Sequence, residues 1–133
     1  MKILATYCSA KKDERQGLLP AHLRYKSSRI EHVMAKAEKQ EVPFMILSGQ
    51  FGLIGFDHKL PYYNHLLKDS EVESHSNIVA GQIVKNGITK IDFYTCKIED
   101  DPNIQPYINS IKYACKRNNV KVNVQHITSN IDN

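Results

Sequence analysis

The chain has 133 residues, 41% of them hydrophobic and 24% charged, with a formal net charge of +4. That size and balance describe one ordinary globular domain and exclude a disordered chain or a fold that needs a metal or disulfide staple. No apolar run reaches the roughly 20 residues of a membrane span, Ile3-Leu4-Ala5 is too short an apolar start for a signal peptide, and Cys8, Cys96 and Cys115 show no CxxC spacing. A cytoplasmic protein with no metal site and no cofactor is the expectation.

Along the chain, Lys2 to Cys8 (KILATYC) is short and apolar, as a buried first strand should be. The polar stretch Ser9 to Gly17 has no apolar periodicity, and Leu18, Leu19 and Pro20 return the chain to the body. From Ser27 or Ser28 to Gln40 the residues Ile30, Val33, Met34 and Ala37 fall at helical spacing, while Arg29, Lys36 and Lys39 point elsewhere. Ser27 or Ser28 suits the N-cap, with Glu31 in the first turn. Val42 to Ser48 is a second buried strand, Pro43 being tolerated at its start.

A long irregular segment, Gly49 to about Lys68, follows, and a loop of that length in a small domain has a function or a short helix of its own. A helix from about Glu71 to Lys85 stops at Asn86-Gly87, Gly87 suiting the left-handed C′ position. Ile91 to Cys96 is a third strand. Asp101 then caps a helix with Pro102 at its first position and Ile104, Tyr107, Ile108, Ile111 and Cys115 on its apolar face. Val120 to Val124 alternates as a last strand at a sheet edge, and Thr128 to Asn133 is a polar, frayed tail. The order predicts a single three-layer, Rossmann-like α/β domain over residues 1–127. Its four-stranded, mainly parallel sheet has the order 2-1-3-4 and right-handed crossovers.

In such a sheet ligands bind beyond the carboxyl ends of the strands, at the crevice between strands 1 and 3 where the strand order reverses. Residues 1–30 carry seven Lys/Arg against two acids. That local surplus lies largely in the loop that leaves strand 1, where Ser9, Lys11 and Lys12 suit a phosphate or carboxylate. A solvated basic face is the plainer reading of the same charge.

Gly49 and Gly52, in the turn after Ser48, allow close backbone approach or simply shape a loop. They match neither GxGxxG nor a phosphate loop. Tyr62 and Tyr63 could stack on a base or anchor the loop to the core. Asp57 is the carboxylate placed between these features, suited to a sugar or to an oxocarbenium-like centre. Cys8 beside lysines suits a nucleophile, against the commoner role of a buried, inert cysteine. His58, His65 and His75 lack ligand spacing, and the acids of 68–73 read as a helix start.

Cys8-Ser9 with Lys11-Lys12, Tyr25, Ile46-Leu47-Ser48 with Gly52-Leu53, Asp57 and Tyr63 resemble a group of small bacterial and phage α/β domains. Their pattern runs CS-x-KK, an aromatic before the first helix, LSA-x-HGL and PYD. More distantly the chain is similar to the uracil-DNA-glycosylase-like domain that accompanies archaeal tRNA-guanine transglycosylases. The likeness spans about residues 3 to 67 and implies that Ser9, Lys11, Ser48, Asp57 and Tyr63 line one site. Phe51 stands where that pattern has histidine and Asn64 where it has aspartate. Neither side chain exchanges a proton at neutral pH.

The leading expectation is a domain that binds a nucleotide or phosphorylated nucleoside at the carboxyl edge of the sheet and cleaves or transfers at the N-glycosidic bond. In it Lys11 and Lys12 hold phosphate, Gly49 and Gly52 admit the ligand to the backbone, Tyr63 stacks on the base and Asp57 acts at the sugar. Two alternatives stand beside it: a non-catalytic nucleic-acid-binding module that uses the basic chain ends, and a structural protein that dimerises through the strand-4 edge.

Overall fold

The computed structural model describes residues 1–127, so the tail Thr128 to Asn133 lies outside the described residues. In chain order the elements are β1 (Lys2–Tyr7), β2 (Leu19–Pro20), α1 (Ala21–Arg24), α2 (Ser28–Gln40), β3 (Phe44–Ser48), β4 (Gly52–Gly55), β5 (Lys59–Leu60), α3 (Val72–Lys85), β6 (Lys90–Thr95), α4 (Gln105–Arg117) and β7 (Lys121–His126). Single 3-10 turns at Asp69–Glu71 and Pro102–Ile104 precede α3 and α4.

The main sheet has five strands in the order β4-β3-β1-β6-β7. β3, β1, β6 and β7 run parallel, and β4 is antiparallel to β3 with Ser48 opposite Gly52 and Met45 opposite Gly55. The expected four-stranded sheet of order 2-1-3-4 is thereby corrected. A fifth strand sits outside β3, and β4 and β7 are the edges.

Gly52, with φ of +74°, reverses the chain after Ser48. The outer side of β4 is then satisfied from α3: Gln82 Oε1 accepts from Leu53 N–H at 2.7 Å and its Nε2 donates to the Phe51 carbonyl at 3.0 Å. A side-chain amide thus does what a sixth strand would do. β5, also inside the segment expected to be irregular, pairs with β2 in a separate antiparallel ribbon.

α2 packs on β1 and β3, while α3 and α4 pack against each other and reach β4 and β7; the right-handed crossover rule for parallel strands puts these two groups on opposite faces. The core between these layers is built on β1, whose Ile3, Leu4 and Ala5 have no exposed surface, with Ile46, Leu47, Ile91 and Phe93 from its neighbours. Ser27 caps α2, its Oγ accepting from Ile30 N–H at 3.3 Å. Gly87, after the end of α3, has φ of +65°. Asp101 caps the 3-10 turn, so α4 proper begins at Gln105 and not at Pro102.

Two arginines are buried, and Arg29 thereby departs from the expected polar face of the helix. Arg29 is fully buried: its guanidinium donates to Thr6 Oγ1, to the Tyr7 carbonyl at 2.6 Å and to the Cys8 carbonyl at 3.0 Å, and stacks 3.6 Å from the Tyr7 ring centroid. Arg24 is equally buried and donates to the carbonyls of Asp13, Arg15, Gly17 and Leu60. A planar fork of five donors can gather several carbonyl oxygens at once. Arg24 thereby ties the polar 13–17 stretch to β5, and Arg29 fixes the carboxyl end of β1.

Among the described residues no helix is long and apolar enough to cross a membrane.

Candidate ligand-binding site

A cavity of about 120 Å³ opens at the carboxyl ends of β1 and β6. Tyr7, Cys8, Ser9 and Ala10 bring β1 to it, Asp101, Asn103 and Ile104 the β6–α4 connection and Tyr107 the first turn of α4, and Lys12 and Asn64 to Leu66 close it from two loops. The parallel topology produces this opening, because the connections leaving β1 and β6 go to opposite faces of the sheet.

The β1 side supplies donors. The amides of Leu4 and Cys8 turn toward β3, bonding the carbonyls of Pro43 and Leu47. Strand alternation therefore turns the Ser9 N–H to the β6 side, where the cavity lies. Among the described residues neither Ser9 N–H nor Ala10 N–H has a hydrogen-bond partner. The Ser9 hydroxyl donates to the Lys11 carbonyl at 2.7 Å, which holds this turn in place.

Lys12 is half-buried and forms no ion pair among the described residues. Its Nζ lies 4.9 Å from the Tyr63 ring centroid and 5.8 Å from that of Tyr25. Burial lowers its pKa, with Cys8 acting in the opposite sense. Two aromatic faces replace a carboxylate partner, a geometry that stabilises the cation while leaving it open to an anion.

Behind Lys12 the tyrosines form a hydroxyl network. Tyr63 Oη bonds Tyr25 Oη and, at 2.8 Å, Ser48 Oγ. Ser48 Oγ also accepts from the amides of Gln50 and Phe51 at 3.1 and 3.0 Å, closing the β3–β4 turn. The Tyr63 ring meets Phe51 edge-on at 5.3 Å. Tyr107 Oη accepts from the Leu67 amide at 3.1 Å and from Cys8 Sγ at 3.6 Å. Burial raises the pKa of Tyr25, Tyr63 and Tyr107, so these phenols stay protonated at neutral pH and serve as hydrogen-bonding groups rather than bases.

His75, from α3, completes the support. Its Nε2 donates to the Ser48 carbonyl at 2.8 Å and its Nδ1 accepts from the Ser110 hydroxyl at 2.6 Å, an arrangement that fits the neutral ring.

Of the residues singled out in the sequence, Cys8, Ser9, Lys12 and His65 line the cavity. Tyr63 backs Lys12 and anchors the loop, with Tyr62 left exposed. Ser48 is fully buried beneath the turn. The remaining candidates lie outside the cavity.

Lys11 faces away from the cavity into a separate surface groove. Gly49 and Gly52 admit the chain's own atoms instead of a ligand. A Cβ on Gly49 would lie 2.8 Å from both the His65 carbonyl and Tyr107 Oη, and one on Gly52 would lie 2.4 Å from Gln82 Oε1. Asp57 is exposed and lies at the other end of β3. β4 carries the chain from the level of Ser48 back to that of Met45, roughly 10 Å at strand rise, and Asp57 comes two residues later.

The carboxylate that does line the cavity is Asp101, joined by the carboxamides of Asn64 and Asn103. In the sequence Asp101 reads only as a helix cap. Its place in the connection that leaves strand 3, at the expected rim, is the signal that could have placed it. Among the described residues no group of three or more His, Cys, Asp or Glu side chains is placed to hold a metal ion.

Comparison with family models, with curated proteins and with solved structures finds no match to this chain.

Proposed function

We propose that the protein binds a nucleotide or a phosphorylated nucleoside in this cavity, the phosphate against Lys12 and the amides of Ser9 and Ala10. The observation that carries the reading is Lys12: a half-buried cation, without an ion pair among the described residues, beside two amides that have no partner there. Donors without a protein partner at a cavity rim, one of them a cation, suit an anion. The carboxamides of Asn64 and Asn103 offer donors and acceptors to a base or sugar edge. A volume of about 120 Å³ takes one ring or one phosphate at a time, so the remainder of the ligand extends from the mouth.

A second reading, cleavage or transfer at the N-glycosidic bond, rests on Asp101 in the same cavity as the anion-holding groups. A carboxylate there could stabilise positive charge at a ribose C1′. The likeness to small bacterial and phage α/β domains belongs with these readings through Ser9, Ser48 and Tyr63, and not through Asp57.

The test is a thermal-shift and calorimetric screen of nucleoside 5′-monophosphates. A ligand at a hundred times its Kd stabilises by about 2.7 kcal/mol, roughly 10 °C for a domain of this size. Lys12→Ala should abolish the shift. Absence of any shift at millimolar ligand refutes binding. Release of free base by wild type but not by Asp101→Asn distinguishes catalysis from binding alone.

A further inference from the structure

Lys11 and Lys12 are neighbours whose side chains part company. An isolated antiparallel bridge pairs Lys12 with Tyr25. It is flanked by Asp13 N–H to the Arg24 carbonyl at 2.7 Å and Lys26 N–H to the Lys11 carbonyl at 3.0 Å. This short ribbon has two faces. Lys12 turns to the cavity, over the rings of Tyr25 and Tyr63. Alternation sends the next pair, Lys11 and Lys26, to the other face.

There they line a groove of about 420 Å³ with Arg15, His22, Ser27 and Ser28. Register places Lys11 and Lys26 directly opposite each other, and like charges in that position disfavour the pairing. Both are exposed, and neither has an ion pair among the described residues. Two acids also line the groove, Asp13 and Glu31. Asp13 is already held by Arg15 through both carboxylate oxygens. Lys26 also acts on Asp13, but with Lys11, Arg15 and Lys26 against Asp13 and Glu31 the groove keeps a net positive charge.

We propose that this groove takes the phosphodiester backbone of a single-stranded polynucleotide, one unpaired nucleotide of which occupies the cavity on the other face of the ribbon. The inference rests on the nucleotide reading of the cavity and adds the class of substrate. Two considerations select an unpaired strand. The cavity takes one ring or one phosphate at a time and so admits no base pair. The lysines lie on a short loop ribbon, where they can follow a flexible backbone and read no groove edge.

The test is fluorescence anisotropy of the full chain with a labelled mixed-sequence 12-nucleotide single strand, in DNA and RNA forms. It runs beside calorimetry with nucleoside monophosphates. The single strand should bind more tightly than any monophosphate. Lys11→Glu with Lys26→Glu should weaken it at least tenfold, leaving monophosphate Kd values within twofold. The double variant should also flatten the plot of log K against log salt by about 1.4, the value for two single-strand phosphate contacts.

Lys11→Gln with Lys26→Gln, checked by circular dichroism, guards against misfolding of the charge-reversed protein and should show the same loss to a smaller degree. Oligonucleotide affinity unchanged within twofold, or binding of monophosphates alone, overturns the inference and leaves the cavity reading intact. Failure of both ligands overturns both.

Discussion

Replacing Gly49 by alanine tests the wall of the cavity. The added Cβ would stand 2.8 Å from the His65 carbonyl oxygen, 2.8 Å from Tyr107 Oη and 3.3 Å from the Leu67 amide nitrogen. Ordinary contacts begin near 3.4 Å, so two of the three neighbours must retreat by roughly 0.6 Å, and one of them is backbone. These atoms are themselves linked, because Leu67 N–H donates to Tyr107 Oη and Cys8 Sγ donates to the same oxygen. Displacing the phenol leaves a buried amide poorly satisfied, at about 1–3 kcal/mol, and overpacking adds a similar amount.

We therefore expect Gly49→Ala to lose about 3 kcal/mol, a large share of a typical 5–15 kcal/mol, and Tm to fall by roughly 10 °C. Urea denaturation gives the free energy directly. Gly81→Ala is the control: its Cβ would meet nothing within 4 Å, and it lies inside α3, so it should stabilise by about 0.5–1 kcal/mol. A Gly49→Ala protein within about 0.5 kcal/mol of wild type, an ordinary surface effect, would refute the close-packing argument.

Three further outcomes follow from the same structure. Arg29→Met should cost about 3 kcal/mol or more, since three acceptors at the end of β1 lose their donor; urea denaturation measures it, and a neutral result contradicts the organising role. Burial lowers the His75 pKa below its ordinary 6.5. The unfolded chain then binds the proton more readily, so the stability from the neutral ring is complete above pH 6.5 and declines as pH falls toward the folded pKa. Tm measured from pH 8 to 5 should fall less steeply in His75→Gln, and parallel curves would contradict this. Asp57→Asn should change neither stability nor monophosphate affinity beyond error, because the exposed carboxylate stands at the far end of β3 from the cavity; a tenfold loss of affinity would restore it to the site.

Much of the frame was legible in the residues. The apolar runs of β1, β3 and β6 and the alternation of β7 mark strands because burial imposes those patterns. Ser27 and Gly87 mark helix ends because one offers an acceptor oxygen and the other tolerates positive φ. What stayed hidden depended on partners remote in sequence. The Gly52–Gly55 segment is too short to be periodic, and its edge is satisfied by Gln82, thirty residues on.

Arg29 reads as a surface residue because backbone carbonyls, its acceptors, leave no trace in the sequence. The same limit governs the site. The charge surplus and the switch-point argument led to the loop after β1, and Ser9 and Lys12 line the cavity there. Asp57 lies away from the cavity because the reversal at Gly52 turns the chain back from the ligand edge. Lys11 lines the other groove because consecutive residues of an extended ribbon face opposite ways.

The central claim is that Lys12 and the amides of Ser9 and Ala10 form an anion site for a phosphorylated nucleoside. Titrating isotopically labelled protein with a nucleoside 5′-monophosphate and following every backbone amide by NMR tests it most directly. The account expects the largest saturable shifts at Ser9, Ala10 and Lys12, with smaller ones at Asn64, Asn103 and Tyr107, all lost in Lys12→Ala. Largest shifts around Asp57, or no saturable shifts at millimolar ligand, would contradict it.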